Sequence, residues 1–361
     1  MNDHCICTII AKNYISFART LCDSFLENHP SGRCFALVTD ETDGYIDPSA
    51  EKFEILSPAV LKIPNWPDFT FKYNITELAT ALKPYLLEHL LQKEGLDRIL
   101  YLDPDILVLQ QLTTLFKLLD DRDVVLTPHL DTDYPDDGYL PNDAFIMKSG
   151  IYNLGFIGVR NSSNSLNFLC WWQRKLYDRC VIDHAAGYFV DQKFIDYALP
   201  LFDGFKVVPD PGYNVAYWNL HSRSIGWSGS EWTCNGNALY FFHFSGFKLA
   251  APDQISKHQT RYQMAALPDL HILFQSYISL LQGNGYVETS VWPYTFNTYR
   301  NGTRLLPKLK RLYLYFRREP LSDPFGKNNF SIIYAISPSI FHFMLKRGRE
   351  LASKVFSSLF G

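Results

Sequence analysis

Short apolar runs that read as strands alternate, through the first half of the chain, with amphipathic stretches long enough to be helices, and no other feature narrows the fold so far. CICTII (5–10) precedes a helical pattern through Phe17, Leu21, Ser24 and Phe25, and Pro30, Ser31 and Gly32 break the chain before CFALVTD (34–40). A second helical stretch over about 75–92 places Leu78, Leu82, Leu86 and Leu90 on one face. RILYLD (98–103) is the next strand and 111–119 the next helix. Strands separated by helices of this length predict βαβ units and a mostly parallel central sheet flanked by helices.

After Asp123 the alternation loosens. VVLTPH (124–129), GIYNLGFIGVR (150–160) and LYFFHF (239–244) read as strands, and SLNFLCWWQRKLY (165–177) reads as an amphipathic helix. Residues 131–143 form an acidic loop rich in Pro, Gly and Asp. A boundary is expected between about 265 and 300, so residues 1–265 are taken as one domain and 266–361 as a mostly helical, basic and aromatic extension. There is no internal repeat and no low-complexity tract.

Charge follows the same division. The whole chain of 361 residues carries −3, which gives no global bias toward nucleic acid. From Arg300 onward there are 12 Lys and Arg against 3 Asp and Glu, an excess of +9 that leaves −12 on the rest. LLPKLKRLYLYFR (305–317) and FHFMLKRGRELASKVFSSLF (341–360) mix cations with large apolar residues, as helices lying on an anionic membrane surface do. Ordinary packing helices with solvated basic faces would read the same way. The seven cysteines form no CxxC pair and are read as reduced and structural, hence a cytoplasmic protein. MNDHC lacks the basic start of a signal peptide, and no apolar run approaches the roughly 20 residues of a membrane span.

The chemistry centres on YLDPDILV (101–108). An apolar strand runs into Asp103-Pro104-Asp105 and returns at once to apolar residues. Ligands of open α/β sheets bind beyond the carboxyl ends of the strands, where this pattern puts two carboxylates. A pair one residue apart can face one hard cation, and Mg²⁺ or Mn²⁺ commonly bridges such carboxylates to a substrate phosphate. A bare D-x-D also arises by chance as a polar strand end, but an ordinary turn seldom resumes with ILVL.

With these residues in view, the chain resembles the nucleotide-sugar glycosyltransferases of the GT-A (Rossmann-like) fold, in particular bacterial relatives of the retaining galactosyltransferase and glycogenin-like family. The resemblance covers roughly residues 5–262 and implies a metal-dependent transferase moving a sugar from a nucleotide diphosphate, by family default a UDP-sugar, to a glycan or lipid-linked saccharide acceptor, as in cell-envelope polysaccharide synthesis. TIIAKNYISFARTLCDS (8–24) resembles the nucleotide-binding opening, implying Ala11, Asn13 and Tyr14 near base and ribose. ELATALKPYLL (77–87) resembles the helix before the D-x-D, with Lys83 where the family more often has Arg. GIYNLGFIGVR resembles the N-x-G strand, implying Asn153 near the donor sugar; on its own the pair Asn153 and Gly155 is equally a bulge. FVDQKFID (189–196) resembles the Asp-Gln pair, implying catalytic roles for Asp191 and Gln192, although Asp191 also fits a helix cap. HFSGFK (243–248) resembles the H-x-x-G-x-K segment, implying His243 as third metal ligand beside Asp103 and Asp105, with Gly246 and Lys248 at the diphosphate.

DPGYNVAYWNLHSR (210–223) brings aromatics and amides that could meet an acceptor, among them Asn214, Trp218 and Asn219, or could lie under a loop as core. SKHQTR (256–261) offers His258 and Arg261 as phosphate contacts or a solvated turn. Retention of configuration is implied by the resemblance, with Asp191 and Gln192 steadying the cationic sugar; an inverting enzyme would need a carboxylate base, which the Asp131–Asp137 loop could supply. Two other readings stand beside this one. A sugar nucleotidyltransferase would want a Gly-rich basic loop where this chain has AKNYISF. A non-catalytic sugar- or nucleotide-binding protein on a transferase fold would have less reason to keep both acids, the Asp-Gln pair and the His segment. Nucleic-acid binding has no matching signature.

Overall fold

The computed structural model describes residues 4–317 and 319–336. At its centre is a seven-stranded sheet. Its labelled strands are β1 (Cys5–Ile10), β2 (Arg33–Val38), β3 (Glu54–Leu56), β4 (Arg98–Leu102), β6 (Val124–Pro128) and β7 (Tyr152–Arg160), with β5 (Ile106–Val108) lying outside it. The order runs from the Phe205–Val207 strand through β6, β7, β4, β1 and β2 to β3. Only β7 runs against its neighbours; the other pairings are parallel. The sheet is therefore mixed and mostly parallel, as the alternation predicts.

Both faces are covered, which is why the strands read as continuous apolar runs. Successive side chains of β1 point to opposite faces. Cys5, Cys7 and Ile9 meet the helices Ile75–Gln92 and Ser163–Arg179 on one side. Ile6 and Ile10 meet Ile15, Ala18, Leu21 and Phe25 of the helix Ile15–Asn28 on the other. The Ile75–Gln92 helix starts on a capping box: the Asn74 side chain accepts from the Glu77 amide at 3.0 Å, and Glu77 Oε2 accepts from the Asn74 amide at 3.1 Å.

The elements fall within two residues of the expected bounds: Thr113–Leu118 for the helix after Asp105, Tyr152–Arg160 for the third strand run, and Ser163–Arg179 for the helix after it. A helix at Asp143–Ser149 ends the loop in which the sequence suggested none; Asn142 caps it. The expected 239–244 strand is the short Phe241–His243 segment, paired antiparallel with β5 rather than with the main sheet.

Residues beyond 265 pack onto this body. Leu270, Leu273, Phe274, Tyr277 and Leu281 of the helix Pro268–Gly283 cluster with Phe242 and Phe244. From the helix Pro307–Phe316, Lys310 Nζ donates to the Tyr73 carbonyl at 3.0 Å, Tyr313 donates to Asp68 at 2.6 Å, and Arg311 pairs with Glu77. Arg317 pairs with Asp178 at 2.7 Å. These cations of the 305–317 segment are thus engaged within the protein; the 341–360 segment lies outside the described residues. All seven cysteines are free, and Cys170 alone is exposed. Among the described residues no helix is long and apolar enough to cross a membrane.

Candidate active site

Two backbone pairings bring the acids and the histidine together. Pro104 sits at the second position of a tight turn that closes with the Ile106 amide donating to the Asp103 carbonyl at 3.1 Å. The chain then continues as β5, whose Ile106 is opposite His243 in the antiparallel register, and the Phe244 amide donates to the Asp105 carbonyl at 2.9 Å. The turn is tied to the sheet by the Asp103 amide, which donates to the Gly155 carbonyl of β7 at 2.8 Å. Ligand atoms of Asp103, Asp105 and His243 consequently lie within 4.8 Å of one another. His243 Nε2 is 3.1 Å from Asp105 Oδ1 and 3.9 Å from Asp103 Oδ2.

The ring is oriented from behind. Asn214 uses its amide nitrogen on Thr127 Oγ1 (2.9 Å) and Asn153 Oδ1 (3.1 Å), so its oxygen is what faces His243 Nδ1 at 3.3 Å. Nδ1 then carries the proton and Nε2 is turned to the carboxylates, the arrangement that suits a ligating histidine. Trp218 meets the ring edge-on, with centroids 5.2 Å apart. Tyr101 donates to Asp103 Oδ1 at 2.8 Å and fixes that carboxylate. Burial, the largest influence, pulls the His243 pKa down, yet Asp105 and then Asp103 carry it above the ordinary imidazole value. A cluster that favours an imidazolium for want of positive charge has the donor set of a Mg²⁺ or Mn²⁺ site: two carboxylate oxygens and an imidazole nitrogen, partly open to solvent.

Asp103 and His243 border a cavity of about 500 Å³, which is also lined by Lys83, Asn153, Asp191, Gln192 and Trp218. Lys83 Nζ binds Asp191 Oδ2 and the Leu154 carbonyl, both at 2.6 Å. Burial raises the Asp191 pKa, against the pull of Lys83. Asp191 precedes the short helix Gln192–Tyr197 but its side chain makes no capping bond; it goes to Lys83 instead. Gln192 is occupied at both ends, accepting from the Leu154 amide at 3.1 Å and donating to the Ser149 carbonyl at 2.8 Å.

The other residues singled out by the sequence are distributed as follows. Ala11 is buried at the end of β1, Tyr14 is exposed and stacked on Phe17, and Asn13 Oδ1 is buried without a partner. Tyr14 stands on the Asp105 side of the cluster: burial first, then the Asp105 carboxylate, raises its phenol pKa. Asn214 and Asn219 are 1% and 0% exposed. Both are hydrogen-bonded within the protein: Asn214 holds His243, and Asn219 ties backbone, accepting from the Ala216 amide at 2.9 Å. Trp218 lines the cavity, with its indole Nε1 unpartnered. Gly246 has φ +72, where a side chain would be strained. Lys248 is exposed and does not line the cavity. Sequence reasoning did not single out Tyr101, Lys148 or Lys257. Tyr101 alone carried a local signal, two residues before Asp103 and therefore on the same strand face.

A larger cavity, about 710 Å³, opens beyond β2 and β3 between Asp40, Pro58, Trp66 and Phe296. It shares no lining residue with the first, and Asp40 is neutralised by Lys12 at 3.2 Å. Size favours this cavity and chemistry favours the other. The convergence of ligating and ionised groups decides for the smaller one.

No known family's sequence model matches the chain. YfnF of Bacillus subtilis (strain 168), an uncharacterised protein, is 25% identical over 276 residues, spanning 74% of this chain and 89% of its own. YfnD of the same strain, also uncharacterised, is 24% identical over 184 residues, 50% of this chain and 57% of its own. Among solved structures, the galactosyltransferase LgtC in complex with donor and acceptor sugar analogues is 17% identical, covers 74% of this chain and 95% of its own, and superposes with a TM-score of 0.44. The glycosyltransferase GlyE of Streptococcus pneumoniae TIGR4 is 14% identical, covers 86% and 71%, and has a TM-score of 0.45. At TM-scores this low the likeness says nothing about activity, which has to be read from the site.

Proposed function

We propose that this protein is a metal-dependent glycosyltransferase that moves a sugar from a nucleotide diphosphate, a UDP-sugar in the first instance, to a saccharide acceptor, free or lipid-linked, with retention of configuration. The observation that carries the reading is the Asp103–Asp105–His243 cluster, with ligand atoms within 4.8 Å of one another at the mouth of a cavity that also holds a buried ion pair. A divalent cation held there, Mn²⁺ or Mg²⁺, would supply the charge that offsets a departing nucleoside diphosphate.

The chain's own groups divide the rest of the work. Asn214 and Gly155 hold the His243 ring, and Tyr101 holds Asp103. Ala11, Asn13 and Tyr14, on the Asp105 side, are assigned to the nucleoside; the unpartnered Asn13 oxygen is an acceptor suited to a base or ribose donor. Asn153, Asp191 and Gln192 are assigned to the sugar side. Asp191, held by Lys83, supplies fixed negative charge that would steady a cationic sugar. It is poorly free to attack it, because its carboxylate already carries a charge-assisted bond. Trp218 offers a cavity-facing indole edge to the sugar or acceptor.

Calorimetric titration of UDP with and without Mn²⁺, on the wild type and on Asp103→Ala/Asp105→Ala, tests the reading. Metal-dependent binding that disappears in the double variant supports it; failure of UDP, GDP and other nucleoside diphosphates to bind would sink it. Product analysis with an anomerically pure donor tests retention. Peripheral attachment to anionic membrane rests on the sequence of 341–360, since Lys310, Arg311 and Arg317 of the 305–317 segment are engaged within the protein. Equal binding of anionic liposomes by the full chain and by a chain ending at Ile336 would remove that support.

A further inference from the structure

A diphosphate beside this cluster needs cationic partners from the protein, and the two lysines that the sequence offered are both poorly disposed to serve. Lys83 is buried and bound to Asp191 and the Leu154 carbonyl. Lys248 lies outside the cavity lining, and it is exposed as Lys148 and Lys257 are. Its turn is anchored by Phe247, which packs on Phe274 with centroids 5.0 Å apart.

A different lysine lines the cavity beside Asp103 and His243. Lys257 comes from the Ser256–His258 turn, which is locked against the segment following His243. The Lys257 amide donates to the Gly246 carbonyl at 3.1 Å, and Ser256 Oγ accepts from the His258 amide at 3.2 Å. A Cβ at Gly246 would come within 2.7 Å of the His258 ring, so the two turns are in direct contact and only glycine permits it. The His258 ring in turn lies against Tyr217, with centroids 5.8 Å apart. Among the described residues Lys257 has no ion pair, although Ser245, Lys257 and His258 all face the cavity. Lys148 also lines it, but from the Ser149–Gln192 side. Arg261, further along the same stretch, is committed to Asp137 at 2.8 and 3.0 Å.

We propose that Lys257, presented by the Ser256–His258 turn, is the lysine that binds the β-phosphate of the donor, in place of Lys248. This deepens the nucleotide-diphosphate reading above and rests on it. A lysine reached through backbone contacts with the Gly246 turn can stay registered to the metal cluster, three residues from His243, while keeping its ammonium free for an anion.

The test is calorimetric titration of UDP and of UMP, each with Mn²⁺, into wild type, Lys257→Ala, Lys257→Arg and Lys248→Ala. A charge-assisted contact predicts that Lys257→Ala loses affinity for UDP by on the order of tenfold or more, that UMP, which lacks the β-phosphate, changes by less than about twofold, and that Lys257→Arg recovers most of the loss. Lys248→Ala should weaken UDP less than Lys257→Ala does. Equal losses for UDP and UMP in Lys257→Ala would show a merely structural turn and overturn the assignment, as would a loss confined to Lys248→Ala. Wild type that binds UMP but gains nothing from the second phosphate would also overturn it. Wild type that binds no nucleotide at all would remove the transferase reading itself.

Discussion

The imidazole of His243 occupies the space that a side chain at residue 155 would need: a Cβ built on Gly155 would fall 2.6 Å from His243 Nδ1 and 2.7 Å from Asn153 Oδ1. The glycine of the β7 strand is there because the histidine of another strand passes over it, and the pair sets how closely the ring can approach Asp103 and Asp105. Gly155→Ala should therefore push the ring away from the acids. The expected result is a drop of at least about tenfold in Mn²⁺-dependent UDP affinity, with an overpacking cost of about 1–3 kcal/mol in urea denaturation. Unchanged affinity in a folded variant would mean that His243 is not a ligand.

Asn214 links His243 to Thr127 and Asn153 and has φ +51. Replacing it with glycine keeps the backbone conformation easy while removing the amide. Asn214→Gly should weaken Mn²⁺ binding by about 10–100-fold, measured by displacement of a fluorescent chelator, without loss of the cooperative thermal transition. Wild-type metal affinity in that variant would sink the orienting role.

Lys83 and Asp191 are 1% and 2% exposed at their side chains and 2.6 Å apart. Removing one partner of such a pair costs about 3–5 kcal/mol because the other charge is left buried. Burial already holds the Asp191 pKa above its ordinary value. Between the unfolded and the folded value the folded state binds more protons, so stability falls as pH rises through that window. Loss of Lys83 raises the folded value further and extends the window upward. Lys83→Met should thus be more destabilised at about pH 8 than at about pH 5, read from urea midpoints; an equal loss at both would contradict this account.

Burial drives the pKa values of His29 and His129 down to about 4. His29 accepts from the Leu112 amide at 2.8 Å through Nε2, which requires the neutral ring at that atom. Each group binds protons in the unfolded chain below its ordinary value near 6.5 and in the folded protein only near 4, so stability is lost as pH falls from about 6.5 to 4. Urea midpoints measured across that range should drop steadily, and His29→Gln should show a shallower drop than wild type. A flat profile would mean that both rings titrate in the folded protein as they do in the unfolded chain.

How far the site was legible follows from the range of the interactions that build it. The Asp103-Pro104-Asp105 turn is local: apolar residues on both sides demand a strand that stops and resumes, and the sequence shows this directly. The same holds for the unbroken apolar run of β1, which is buried on both faces of the sheet. Lys248 and Lys257 differ for a reason no local pattern contains. Both are exposed, and only the packing of Phe247 on Phe274 and the contact of the His258 turn with Gly246 put Lys257, and not Lys248, in the cavity lining. Asn214 and Asn219 likewise looked like amides for a ligand, yet they are held in the interior by residues 61 and 90 positions away.

By itself the sequence determined the alternating architecture and the strand end that carries two acids, because these depend on hydrophobic period and on neighbours a few residues apart. The tertiary structure alone decided which groups converge. The antiparallel register of β5 with Phe241–His243 brings His243 to Asp105 across more than a hundred residues of chain, Asp191 is taken by Lys83 rather than by a helix end, and Arg311 and Arg317 find Asp68, Glu77 and Asp178. Pairings of that kind depend on where the sheet and helices place distant side chains once apolar surface is buried, and charge pattern along the chain does not encode them.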